Sequence, residues 1–160
     1  MTHRVIVVGI DQSPSARAAL QWAAAHARRT GAVLRAVHVH NRTHPRLPYG
    51  VGPTSVPPAN PQPWGEHERA DVAEMFESLK PEPSWTLYLV EDHPGAELVR
   101  AAKEAELLVI GTGEHTGVDR LMSGSVSHYC LSHAEVPVVT VPAPQPIRKD
   151  RPARDHIRAG

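Results

Sequence analysis

Cysteine is all but missing from this sequence. The chain carries one, Cys130, among 160 residues. A lone thiol excludes an internal disulfide and a four-thiolate structural zinc, and leads us to expect a cytosolic (cytoplasmic) protein. Net charge is missing too, because 17 Lys and Arg balance 17 Asp and Glu. That balance argues against non-specific binding of nucleic acid or a membrane surface by the chain as a whole. No apolar run approaches the roughly 20 residues that a membrane-spanning helix needs. The longest, Val5 to Ile10, is strand-sized and stops at Asp11, so we read it as a core strand and not a secretory signal. Apolar residues make up 41% and charged residues 21%, which is unlike a wholly disordered chain. The length fits one domain with its own core.

Two residue types are plentiful. There are 11 histidines, which bring positive charge below about pH 6.5. There are 16 prolines, and seven of them lie between His44 and Trp64. Asn41 to Gly65 therefore cannot be a regular element, since proline lacks the N–H that ladders and helices require. A loop of that length is usually a lid, a partner-binding segment or disordered. Ala143 to Gly160 holds five basic residues against two acidic ones and is expected to be a solvated, disordered tail.

Between these segments the pattern alternates. Val5 to Ile10 is a continuous β-branched run, suited to a strand buried on both faces of a parallel sheet. Ser13-Pro14 reads as a helix start, with Ser13 as cap and Pro14 at the first helical position. The alanine-rich stretch to Arg29 continues that helix, and Gly31 is placed to end it. Further strands are expected over Ala32 to Val39, Trp85 to Val90, Leu107 to Ile110 and Val136 to Val141. Further helices are expected over Glu66 to Leu79, Pro94 to Ala105 and Gly124 to Ala134. Strands alternating with helices imply an α/β protein, a three-layer α/β/α sandwich around a parallel sheet.

The chemistry concentrates after the fourth strand. Ile110-Gly111-Thr112-Gly113-Glu114-His115-Thr116-Gly117 leaves a buried strand, and Ser123-Gly124-Ser125-Val126-Ser127 opens a helix. Backbone N–H groups and the dipole at a helix start favour an anion. Gly124 allows a phosphate close to the backbone, and the Ser125 and Ser127 hydroxyls can donate to it. If the first strand neighbours the fourth, the Gly9-Ile10-Asp11 turn lies alongside, and Asp11 can accept from ribose hydroxyls. Each residue also has a plainer reading: Asp11 and the serines as helix caps, and Gly111, Gly113 and Gly117 as a flexible turn.

With these stretches in view, the chain resembles the universal stress protein family. The likeness is carried by Val5-Ile6-Val7-Val8-Gly9-Ile10-Asp11-Gln12-Ser13, by His93-Pro94-Gly95-Ala96-Glu97-Leu98-Val99, by Leu108-Val109-Ile110-Gly111 running on to Gly124-Ser125-Val126-Ser127, and by Val136-Pro137-Val138-Val139-Thr140-Val141-Pro142. The resemblance implies a Rossmann-like domain over residues 1–142, with a five-stranded sheet in the order 3-2-1-4-5. It implies a homodimer through Val136 to Val141 and a further protein partner. It also implies a site for ATP, with or without Mg²⁺, made by Gly9, Ile10, Asp11, Val39, Ile110, Gly111, Gly124, Ser125, Val126 and Ser127. In that set Asp11 matches the acid near the ribose, and Val39 matches the position that packs on adenine. Gly111, Gly124, Ser125 and Ser127 match the phosphate loop.

One position departs from the family's loop pattern, because Glu114 stands where its second glycine belongs. A side chain then fills space where backbone approaches the ligand. Its carboxylate can also face phosphate, unless it points to solvent or His115 offsets its charge. The alternative to ATP binding is a family member that binds no nucleotide and acts through protein contacts.

Other residues give no reacting group. His38 and His40 share a strand face, but two ligands without a third make no metal site, so we expect a core or rim pair. Cys130 reads as a buried apolar thiol. Ser123-Gly124-Ser125 is not the nucleophile elbow of serine hydrolases. We therefore expect no catalytic residue, and at most slow ATP hydrolysis.

Overall fold

The β-branched run at the start of the chain becomes the central strand of a sheet. The computed structural model describes residues 4–40, 65–112 and 125–145, with Ser125 described by its backbone alone. The proline-rich segment, Gly124 and most of the basic tail lie outside the described residues. Among the described residues there are five strands: β1 (Val5–Gly9), β2 (Val33–His40), β3 (Thr86–Glu91), β4 (Leu107–Thr112) and β5 (Val138–Pro142). They pair in parallel in the order β3-β2-β1-β4-β5, as the resemblance implied. The helices between them are α1 (Pro14–Thr30), α2 (Glu66–Glu77), α3 (Pro94–Ala101) and α4 (Ser125–His133).

Alternation along β1 explains the three layers. Ile6 and Val8 join one core cluster, with the alanine face of α1 and with Val72, Met75 and Phe76 of α2. Val7 points the other way, into a second cluster with Leu98 of α3 and Cys130 of α4. A strand covered on both faces has no polar side, which is why its sequence is apolar without a break.

Helix α1 begins and ends where its sequence places it. Ser13 sits in extended backbone and its Oγ accepts from the Ala16 N–H at 3.1 Å, with Pro14 next in line. At the other end Gly31 takes the left-handed conformation, φ 69°, which a side chain would strain. Its buried face is built from Ala16, Ala19, Ala23, Ala24 and Ala27 with Leu20, so the helix lies close to the sheet. Arg28 fastens the same helix to the α2–β3 connection. Its guanidinium donates to the Leu79 and Lys80 carbonyls at 2.8 and 3.1 Å and stacks 4.7 Å above the Trp85 ring.

Some ends fall elsewhere than the pattern suggested. Helix α3 stops at Ala101, short of Ala105, because the chain tightens into turns (Ala105 N–H to the Ala102 carbonyl, 2.9 Å) before Glu106 re-enters the sheet on the Val5 carbonyl at 2.7 Å. Strand β4 runs past Ile110 to Thr112, because β5 pairs with it as far as Pro142. Strand β5 begins at Val138, two residues after Val136, following a proline that has no N–H to give.

Candidate functional site

Strand order reverses between β1 and β4, since β1 is followed by β2 on one side while β4 lies on its other. Loops leaving two such strands part in opposite directions and open a crevice beyond their carboxyl ends. Gly9 ends β1 at that edge and Ile10 and Asp11 follow it, Ile110 and Gly111 lie in the carboxyl-terminal half of β4, and Val39 sits at the same end of β2. Val126 and Ser127 lie in the first turn of α4.

The structure ties several of these residues together. Val39 and Val126 both pack against the cluster that holds Ile110. The Ser127 hydroxyl donates to the Gly111 carbonyl at 3.2 Å, so the start of α4 is pinned to the end of β4. The exposed Asp11 carboxylate accepts the Ser13 N–H on one oxygen at 2.8 Å. That bond supports the capping reading of Asp11 and also fixes the carboxylate on the turn.

Gly111 has a reason to be glycine that involves no ligand. A Cβ there would lie 2.6 Å from the Ser15 carbonyl carbon and 2.7 Å from the Ala16 nitrogen. The first turn of α1 presses directly on this point of β4.

The histidine pair is split, with His38 in the core and His40 at the rim. His38 is 2% exposed, whereas His40 is half-buried at 29%. Sequence reasoning missed their partner. Glu68 of α2 places one oxygen 3.5 Å from His38 Nε2 and the other 3.1 Å from His40 Nδ1. Even so, no group of three His, Cys, Asp or Glu side chains among the described residues could hold a metal ion. No helix among them is long and apolar enough to cross a membrane.

Cys130 is fully buried, and burial pushes its thiol from 9.0 up to about 11. The thiolate is the reactive form, so this thiol is inert in the folded chain. A disulfide reagent at pH 8 is expected to label Cys130 only as the protein unfolds. Reaction at the rate of a free thiol would show an open site instead. The folded state holds the proton more tightly, so the associated stability is present below pH 9 and lost as pH rises towards 11. The loss amounts to roughly 2 to 3 kcal/mol.

An α/β sandwich with a parallel sheet in the order 3-2-1-4-5, its strand order reversing between β1 and β4, defines the class of Rossmann-like folds. Comparison with known proteins narrows the class. The universal stress protein family matches residues 2–142, and the chain belongs to that family. It is 30% identical over 137 residues to universal stress proteins of Mycobacterium tuberculosis and Mycobacterium bovis, covering 86% of this chain and 45% of each relative. The chain thus spans less than half the length of these curated relatives. Among solved structures it is similar to a universal stress protein in complex with cAMP (TM-score 0.65, 21% identity, 90% of this chain and 100% of that one). It is also similar to one from Archaeoglobus fulgidus in complex with dAMP (TM-score 0.56, 24% identity, 88% and 99%). A family member from Burkholderia pseudomallei gives TM-score 0.60 at 26% identity, covering 88% and 97%.

Proposed function

We propose that this chain binds an adenine nucleotide, ATP by preference, at the β1/β4 edge and acts as a cytoplasmic regulatory module of the stress response without being a catalyst. The observation that carries this reading is the pairing of an exposed carboxylate, Asp11, with the pinned start of α4 across the strand-order reversal. The cAMP and dAMP complexes of its structural relatives support it. In this reading Asp11 takes the ribose hydroxyls and Val39 packs on adenine, flanked by Gly9 and Ile10. Ile110, Gly111, Gly124, Ser125, Val126 and Ser127 surround the phosphates, and Mg²⁺ arrives with ATP. A second copy of the chain adds to the outer edge of β5, whose Val138 to Val141 are half-buried and are paired by β4 on one side.

Glu114 favours one rival, a module that binds no nucleotide and meets a partner through the proline-rich segment. Calorimetric titration of the dialysed chain with ATP, with and without Mg²⁺, separates the two. Saturable binding at one site per chain, in the micromolar range, is the expected result. Silence from both the native chain and Glu114→Gly would sink the nucleotide reading and leave the rival.

A further inference from the structure

Ile10 is the residue just before the Asp11 turn, and β2 holds both of its backbone polar groups. Its N–H donates to the Val37 carbonyl at 3.0 Å. Its carbonyl accepts from a side chain, His38 Nδ1, at 2.9 Å. A carbonyl can only accept, so Nδ1 carries the proton. The ring is buried, and its other nitrogen, Nε2, has no hydrogen-bond partner. What faces Nε2 is the Glu68 carboxylate at 3.5 Å, which His40 Nδ1 approaches from the other side. Glu68 thus confronts Nε2 while Nδ1 stays committed to Ile10.

We propose that His38 is a positioning residue of the ligand edge. Its Nδ1–H fixes the Ile10 carbonyl and so the direction in which the next residue, Asp11, presents its carboxylate. Glu68 of α2 closes the other side of the ring, 3.5 Å from Nε2. The proposal rests on the nucleotide reading above for its functional meaning. It gives α2, the helix that follows the proline-rich segment, a line of contact to Asp11 through Glu68, His38 and Ile10.

Two substitutions divide the ring nitrogens between them. Asn places its amide N–H near the position of Nδ1, whereas Gln reaches towards that of Nε2. Both remove the ring, so both lose similar packing. His38→Asn should therefore keep the bond to Ile10, and His38→Gln should lose it. In the ligand-free protein, amide hydrogen exchange at Asp11 to Ser13 should stay near native in His38→Asn and quicken roughly tenfold in His38→Gln, the size of one hydrogen bond. ATP affinity should fall by a similar factor in His38→Gln alone, while affinity for adenine, which lacks ribose, should be equal in the two variants. If the native chain binds no ATP but exchange still separates Asn from Gln, the nucleotide reading fails and the positioning role stands. Equal exchange in both variants would overturn the positioning role. Should either variant fail to fold, the ¹⁵N spectrum of the native His38 ring decides: a protonated Nδ1 supports the proposal, and a bare one overturns it.

Discussion

Gly111→Ala should lower the melting temperature by about 6 to 12 °C and weaken any ligand held at the β1/β4 edge. The added Cβ would stand 2.6 Å from the Ser15 carbonyl carbon, 2.7 Å from the Ala16 nitrogen and 2.8 Å from the Ser15 oxygen. All three are backbone atoms in the first turn of a capped helix, and none can swing aside. Either α1 lifts or β4 bends. Overpacking of this kind costs about 1 to 3 kcal/mol, and rigid neighbours push it to the upper end. Each kcal/mol is worth about 2 to 4 °C in a chain of this size. Gly9→Ala makes the useful comparison. Its Cβ would come 2.8 Å from Leu98 Cδ1, the far end of a flexible side chain that can rotate. Thermal melts of the two variants should rank Gly111→Ala well below Gly9→Ala. Equal melts would show that α1 can yield at Ser15, and the close packing there would lose its importance.

Glu114→Gly should tighten ATP binding by at least fivefold, and by up to several hundredfold, while leaving adenosine binding nearly unchanged. The reasoning is electrostatic. Two like charges ~4 Å apart repel by about 1 kcal/mol in water and about 4 kcal/mol at an effective dielectric of 20. Each ~1.4 kcal/mol is tenfold in affinity. Adenosine has no phosphate, so it reports whatever the substitution does apart from charge. The gain should shrink as salt is added, because exposed charges are screened over about 8 to 10 Å. Calorimetry with both ligands at two ionic strengths checks all of this. An unchanged ATP affinity would mean that the native carboxylate points to solvent.

The fold was legible in the sequence because its signals are local. The unbroken Val5 to Ile10 run specified a strand covered twice, and Ser13, Pro14 and Gly31 marked both ends of α1. Those choices depend on a few neighbouring residues and on nothing distant. The ends that moved are the ones set by partners. Pairing with β5 extends β4 to Thr112, and the return of Glu106 to the Val5 carbonyl cuts α3 short. The same division runs through the site. Asp11 and Ser127 were legible as residues at helix starts, whereas a ligand role for Gly111 came only with the family resemblance. The contact of Glu68 with His38 could not, because the two are separated by the whole proline-rich segment and no local rule brings them together. The packing reason for Gly111 was equally hidden, since it depends on how closely α1 approaches β4.

That closeness has a mechanical side. A helix resting mainly on alanines has little beneath it to flex apart from Leu20, so it behaves as a stiff beam. At 1.5 Å per residue, the 17 residues of α1 make a beam of roughly 25 Å. One end bears on Gly111 beside the Asp11 turn, and the other is gripped by Arg28 against Trp85. The beam thus joins the Asp11 turn to the Trp85 corner of the domain.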